Sequence, residues 1–207
     1  MQGAAQNRRE TMFARTERLL LRPSWPEDAA ELHQAIADEG IVRNLARAPW
    51  PYTVNDAVQF ATQAHDPLYP AFLLMLRTHG APRIIGACGI GNDDGSAELG
   101  YWIARPYWGL GFATEASRAV VNIAKAIGHK KLTASHFTDN PASGNVLRKL
   151  GFQNTGKTAL RHSNGRGQAM TCALYEKALD GAGTESSARL SPPAFSMRAQ
   201  MERLQAA

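Results

Sequence analysis

The stretch from Ala97 to Phe137 constrains the fold more than any other part of the chain. Ala97–Ile103 (AELGYWI) reads as a strand, and a loop carrying two glycines, Gly109 and Gly111, follows it. A helical pattern begins near Gly111, with Phe112, Ala116, Ala119, Val120, Ile123 and Ile127 recurring at steps of three and four. Gly128 suits the end of that helix, because glycine adopts the left-handed conformation at a helix C-terminus without steric cost. Lys131–Phe137 (KLTASHF) reads as the next strand. A strand–helix–strand unit implies a sheet with a helix packed on its face.

The flanking segments extend this pattern. Arg18–Arg22 reads as a strand. Ser24 and Glu27, three apart with Pro26 between them, resemble a capping box and predict a helix burying Ala29, Leu32, Ala35 and Ile36. Thr53–Asp56 starts a second helix that runs through Ala64. Phe72–Arg77 and Arg83–Ile90 form a hairpin broken at His79-Gly80-Ala81-Pro82, and Asn92–Gly95 is a further turn. Asn140-Pro141 opens a short helix that buries Val146, Leu147 and Leu150, with Gly151 closing it. Phe152–Leu160 and Met170–Lys177 are the final strands. The expected class is α/β (α+β), a mixed sheet covered by helices, with no internal repeat. Residues 1–14 read as a flexible tail and 15–179 as one domain. Residues 180–207 read as a Gly/Ser/Pro-rich linker and a C-terminal tail, whose last segment fits either a short helix or a frayed end.

Composition narrows the function classes. The 207 residues are 44% hydrophobic and 20% charged, which excludes disorder as the whole account. Two distant cysteines, Cys88 and Cys172, exclude a disulfide scaffold, and no Cys/His set has zinc spacing. No run of about 18 apolar residues suggests a membrane span. The N-terminus shows no apolar signal core, so a cytoplasmic setting is expected. The net charge of +5 comes from scattered basic residues, so a nucleic-acid surface is not expected, while a small anionic ligand suits it.

The segment Ile103–Glu115 (IARPYWGLGFATE) carries the chemistry. Glycines admit a ligand close to the backbone, and a helix start offers unpaired N–H groups and the positive end of the helix dipole. Together they make a phosphate site. On the glycines alone, a tight turn with close packing explains the loop equally well. No Walker lysine follows the loop, and Thr114 occupies the third glycine slot of the dinucleotide fingerprint, so both of those patterns fit poorly.

Tyr107–Ala116 (YWGLGFATEA) resembles motif A of the GNAT superfamily of acyl-CoA N-acyltransferases, in the form found in its ribosomal-protein (Rim-like) branch, with Trp108 in place of the usual Gln or Arg. Three more segments are similar to that family in the same order: Thr16–Pro23 (TERLLLRP), Glu98–Ile103, and Asn140–Ser143 continuing to Val146–Phe152. The resemblance covers about residues 16–179. It implies a GNAT-like, mostly antiparallel sheet of six to seven strands with about four helices. It implies acetyl-CoA as donor, no metal, and transfer to a primary amine by direct attack in a ternary complex. It places the CoA pyrophosphate on Gly109, Leu110, Gly111, Phe112, Ala113 and Thr114. The pantetheine falls to the backbone of Ile103 and Ala104, and Asn140 falls beside the pantetheine or the acceptor. Glu98 becomes the base acting through water, and Ser143 the donor to the leaving thiolate. Tyr101, on the Leu99/Ile103 face, is set aside for that role. His136 and Cys88 are expected to be structural. Lys130, Lys131, Arg148 and Lys149 are candidates for the CoA 3′-phosphate. The acceptor, a protein N-terminus or a small molecule, lies over about Asp28–Asp66, where acids are few. A monomer and a homodimer are both compatible with these motifs. A non-catalytic acyl-CoA-binding or sensing module is the alternative.

Overall fold

A computed structural model describes residues 12–64, 66–78 and 80–179. They form one eight-stranded sheet in the order β1-β2-β3-β4-β5-β6-β8-β7. The strands are β1 Ala14–Arg15, β2 Leu19–Arg22, β3 Ala71–Leu76, β4 Arg83–Asp93, β5 Ser96–Ile103, β6 Lys131–Phe137, β7 Gln153–Ser163 and β8 Gln168–Ala178. The helices are α1 Ala29–Ile36, α2 Glu39–Val42, α3 Val54–Thr62, α4 Phe112–Ala126 and α5 Pro141–Lys149. Every neighbouring strand pair is antiparallel except β5 and β6, which are joined through α4 and therefore run parallel.

The sheet separates two hydrophobic layers. On one face, Leu99, Ile103, Leu132 and Ala134 pack with Phe112, Ala116 and Val120 of α4 and Leu147 of α5. On the other, Leu73, Met75, Ile84 and Ala87 pack with Leu32 and Ile36 of α1, Ile41 and Val42 of α2, and Ala57 and Ala61 of α3. Strand alternation assigns the faces of β5. Leu99 and Ile103 turn to α4, whereas Trp102 packs with the α1–α3 layer, which places Glu98 and Gly100 on that second side.

The expected elements are present, with several differences. The sheet has eight strands rather than six or seven, because Ala14–Arg15 pairs with Leu20–Leu21. That pairing uses a residue from the segment expected to be tail; residues 1–11 and 180–207, with the expected linker and terminal helix, lie outside the described residues. The box before α1 sits one residue later than expected. The carboxyl of Asp28, not Glu27, accepts the Trp25 N–H at 2.8 Å. Asp28 is also held by both Nη atoms of Arg22, at 2.7 and 2.6 Å. Burial alone would raise the Asp28 carboxyl, but these bonds outweigh it and hold its pKa below the ordinary value. α2 was not foreseen. Four residues are too few to show a helical period, and its N-terminus is set by Asp38 Oδ1, which accepts the Ile41 N–H at 3.3 Å. α3 begins as expected, with Thr53 and Asp56 forming a reciprocal cap, but ends at Thr62. The turn expected over Asn92–Gly95 shortens to Asp94-Gly95, both with positive φ, so β4 extends to Asp93.

Candidate active site

β5 and β6 meet in register at a single pair, Glu98 with Thr133. Beyond it the strands diverge, and a cleft of about 580 Å³ opens between them. Leu99–Ile103 line one side, Ser135–Phe137 the other, and α5 contributes Ser143, Val146 and Lys149. Residues 41 and 44–46 line the end beneath α2.

Backbone direction decides what β5 offers to this cleft. The Ala104 N–H donates to the Ile85 carbonyl at 2.8 Å, so residue 104 is turned toward β4. Antiparallel pairing alternates that direction, so Ile103 and Tyr101 turn their N–H and C=O groups toward the cleft, as does the Leu99 carbonyl, while the Leu99 N–H is held by Thr133 in the registered pair. The Ile103 carbonyl already accepts the Trp108 indole N–H at 2.6 Å, leaving one lone pair and the Ile103 N–H. Of the two expected backbone donors, the Ile103 N–H faces the cleft, whereas the Ala104 N–H is taken by the Ile85 carbonyl. Leu99 and Tyr101 were missed, although the two-residue period of the strand would have grouped them with Ile103.

The glycine loop closes the far end. Gly109, Gly111, Phe112, Ala113 and Thr114 line the cleft. Gly111 stands at the start of α4 with φ 83°, a left-handed conformation that side-chain-bearing residues rarely adopt. Its geometry turns the first N–H groups of the 15-residue α4 toward the cleft end, unpaired within the helix. Leu110 differs from the rest of the loop. It does not line the cleft; its carbonyl accepts Arg18 Nη1 at 3.0 Å and its side chain is exposed. Arg18 also reaches Glu115 in the first turn of α4, with Nε and Nη2 each 2.7 Å from Oε2. The Arg18 guanidinium lies 4.1 Å from the centre of the Phe112 ring. Glu115 Oε1 accepts from Thr16 Oγ1 at 2.6 Å and from the Arg18 N–H at 2.9 Å. Burial would raise the Glu115 carboxyl, but the bonds from Thr16 and Arg18 prevail and hold its pKa below the ordinary value.

On the α4/α5 face, Asn140 caps α5, its Oδ1 accepting the Ser143 N–H at 3.4 Å. The Ser143 hydroxyl lies 2.8 Å from Tyr101 Oη, and Tyr101 Oη also donates to the Ser143 carbonyl at 3.1 Å. Burial pushes the Tyr101 phenol up to about 12, so it keeps its proton across the physiological range. The sequence placed Tyr101 on this face but did not pair it with Ser143, since their contact joins residues 42 apart.

On the opposite face Glu98 is held rather than free. Arg161 Nη1 lies 2.8 and 2.9 Å from its two oxygens, and Ser135 Oγ donates to Oε1 at 2.9 Å. Arg161 Nη2 continues to Asp93 Oδ2 at 2.5 Å. Burial would lower the Arg161 pKa, but Glu98 and Asp93 raise it above the ordinary value. Arg161 and Ser135 were both missed; Arg161 lies just past the point where the strand was expected to end. Of the acceptor region expected over about Asp28–Asp66, the cleft takes Ile41 and residues 44–46. The β7–β8 turn straps that segment down. Asn164 N–H donates to the Ala46 carbonyl at 2.9 Å, Asn164 Nδ2 to the Arg47 carbonyl at 2.9 Å, and Arg166 Nε to the Arg43 carbonyl at 2.6 Å. Gly165 permits this approach: a Cβ there would fall 2.7 Å from Val42 Cγ1 and 2.9 Å from its carbonyl oxygen.

His136 lines the cleft, its Nδ1 2.8 Å from the Phe137 carbonyl and its ring tilted against Tyr175. Cys88 is buried against the Ser117 hydroxyl at 3.5 Å, and burial raises its thiol to about 12, which leaves no reactive thiolate. Among the four basic candidates for the 3′-phosphate, Lys149 lines the cleft, whereas Lys131 lies 3.6 Å from Glu176.

The family model "Acetyltransferase (GNAT) domain" matches residues 18–153, more than half of the chain. An uncharacterized N-acetyltransferase, p20, of Bacillus licheniformis is 29% identical over 155 residues, covering 71% of this chain and 84% of that one. The crystal structure of a GNAT-family acetyltransferase from Bacillus anthracis superposes with a TM-score of 0.69 at 21% identity, over 82% of this chain and all of the other. RimL, a ribosomal L7/L12 α-N-protein acetyltransferase solved with coenzyme A, gives 0.65 at 17% identity, over 82% of this chain and 99% of RimL. The β5–β6 cleft, the glycine loop before α4 and the match across residues 18–153 agree: this chain belongs to the acetyltransferase (GNAT) family and is an enzyme of that class.

Proposed function

We propose that the enzyme transfers an acetyl group from acetyl-CoA to a primary amine by direct attack in a ternary complex. The observation that carries this is the division of chemistry between the two faces at the β5–β6 opening. A carboxylate, Glu98, lies on the α1–α3 side, and a pair of hydroxyls, Ser143 and Tyr101, lies on the α4/α5 side. Acetyl-CoA would enter from the second side. Its pyrophosphate would sit on the N–H groups of residues 109–114, with those of the first turn of α4 foremost, and its pantetheine amides would pair with the cleft-side backbone of Leu99, Tyr101 and Ile103 as an added strand. Asn140 would stand beside that arm.

The amine would approach from the first side. A protonated amine has no lone pair, so a proton must leave before or during attack. Glu98 takes it through a water molecule, with Arg161 and Ser135 fixing the carboxylate's orientation. The nitrogen forms a bond to the acetyl carbon, the carbon–sulfur bond breaks, and the thiolate takes a hydrogen bond or a proton from the Ser143–Tyr101 pair. No step calls on a metal.

Titration calorimetry with acetyl-CoA, followed by CoA release across a panel of amines, tests this. The expected result is saturable binding and turnover of at least one amine. Binding of acetyl-CoA with no amine acetylated would favour a sensing module instead.

A further inference from the structure

The acceptor side of the cleft carries its charges in an unequal arrangement. Asp93 and Glu98 share Arg161. Asp139 is engaged by Arg166 at 2.7 Å and by Arg43 at 3.4 Å. Each of these three carboxylates thus has an arginine partner from the chain itself. Arg161 also stands between the main cleft and a second cavity of about 460 Å³ that it lines with Lys157 and Thr155.

Arg47 breaks the pattern. Among the described residues it makes no ion pair, and its only side-chain bond is a long one, 3.5 Å, to the Asn92 carbonyl. Its guanidinium lies over Gly91, where a Cβ would stand 3.9 Å from Nη2 and 4.0 Å from Nη1. Gly91 is the register partner of Glu98 across β4 and β5, so Arg47 sits on the same side of the sheet as the proposed base. Its backbone is fixed there by Asn164. Arg47 is exposed and directly follows residues 44–46, which line the cleft, so an anionic group on an acceptor reaching that rim meets a guanidinium with no ion-pair partner among the described residues.

Resting on the acetyl-transfer proposal above, we infer that the acceptor is a primary amine carrying a carboxylate or other anionic group a few bonds from the nitrogen, and that Arg47 is the specificity residue that holds this group. The amine faces Glu98 while the anion pairs with the guanidinium, a geometry that suits charge-assisted bonding to a planar oxyanion. A free amino acid and a peptide N-terminus followed by an acidic residue share this chemistry.

Matched acceptors test it: aspartate against its diamide, the peptide Ala-Asp-Ala against Ala-Asn-Ala, both with amidated C-termini, and spermidine as a polycation. Wild type should favour the carboxylate member of at least one pair, and the favoured pair identifies the source. Arg47→Ala should lower that preference ratio by about tenfold, the scale of one lost charge-assisted bond. Arg47→Lys should restore part of it, and acetyl-CoA affinity should not change. Equal use of both members, best turnover of spermidine, or a ratio unaffected in Arg47→Ala would overturn the inference while leaving acetyl transfer intact. Acetyl-CoA binding with no acceptor used would overturn both.

Discussion

At the level of single residues, the two faces of β5 make separable predictions. Glu98→Gln keeps the shape and a hydrogen-bonding group but removes the proton acceptor. It should cut kcat by about a hundredfold, the lower range for general-base loss, with acetyl-CoA affinity nearly unchanged by calorimetry. A loss confined to affinity would argue that Glu98 only anchors Arg161. Tyr101→Phe removes the hydroxyl 2.8 Å from Ser143 and should lower kcat more than it raises KM for acetyl-CoA. With its phenol pushed up to about 12, Tyr101 stays protonated well into the alkaline range, so activity should not fall near pH 10 through this residue. Glu98, Ser143 and Asn140 could be named as candidates from the sequence because segments resembling family motifs carry them, and the structure places all three at the cleft. Arg161, Ser135 and Tyr101 were not, since each acts through a partner between 37 and 63 positions away, and no local period reports such a contact.

At the level of elements, the glycine loop owes its shape to a neighbour as much as to its own residues. Arg18, just before β2, holds the Leu110 carbonyl and Glu115 together, and so ties the loop to the helix that follows it. Arg18→Ala should raise the acetyl-CoA dissociation constant roughly tenfold by freeing the loop. It should change kcat at saturating donor far less. Gly111→Ala meets no collision, since its Cβ would stand 3.6 Å from Arg18 Nη2, but the left-handed backbone costs about 1–2 kcal/mol. Melting should fall accordingly, with weaker donor binding. Most elements were legible because their periods are long: β6 runs over the expected residues, and α4 starts and stops beside the expected glycines. The exceptions, β1 with two residues and α2 with four, are too short to display a period. They form because β2 and the Asp38 cap offer partners that only the folded chain provides.

For the whole molecule, pH should act on stability as well as on chemistry. Burial raises Cys88, Tyr52 and Tyr101 each to about 12 in the folded chain, against about 9 for the thiol and 10 for the phenols when unfolded. Above those lower values the unfolded chain has released protons that the folded chain still binds, so stability falls as pH rises. Denaturation midpoints should decline from about pH 9 and keep declining toward 12; a flat profile there would contradict the burial of these groups. No helix among the described residues is long and apolar enough to cross a membrane. The last consequence comes from the single registered pair between β5 and β6. With so little lacing across that seam, the sheet consists of two plates creased along one line, one plate ending in β5 and the other starting at β6. The cleft-side amides of Tyr101 and Ile103 lie on the open lip of the crease and should exchange with deuterium faster than their neighbours bonded to β4. A donor molecule laid along that lip would act as the missing strand, slowing those two amides and stiffening the crease at once.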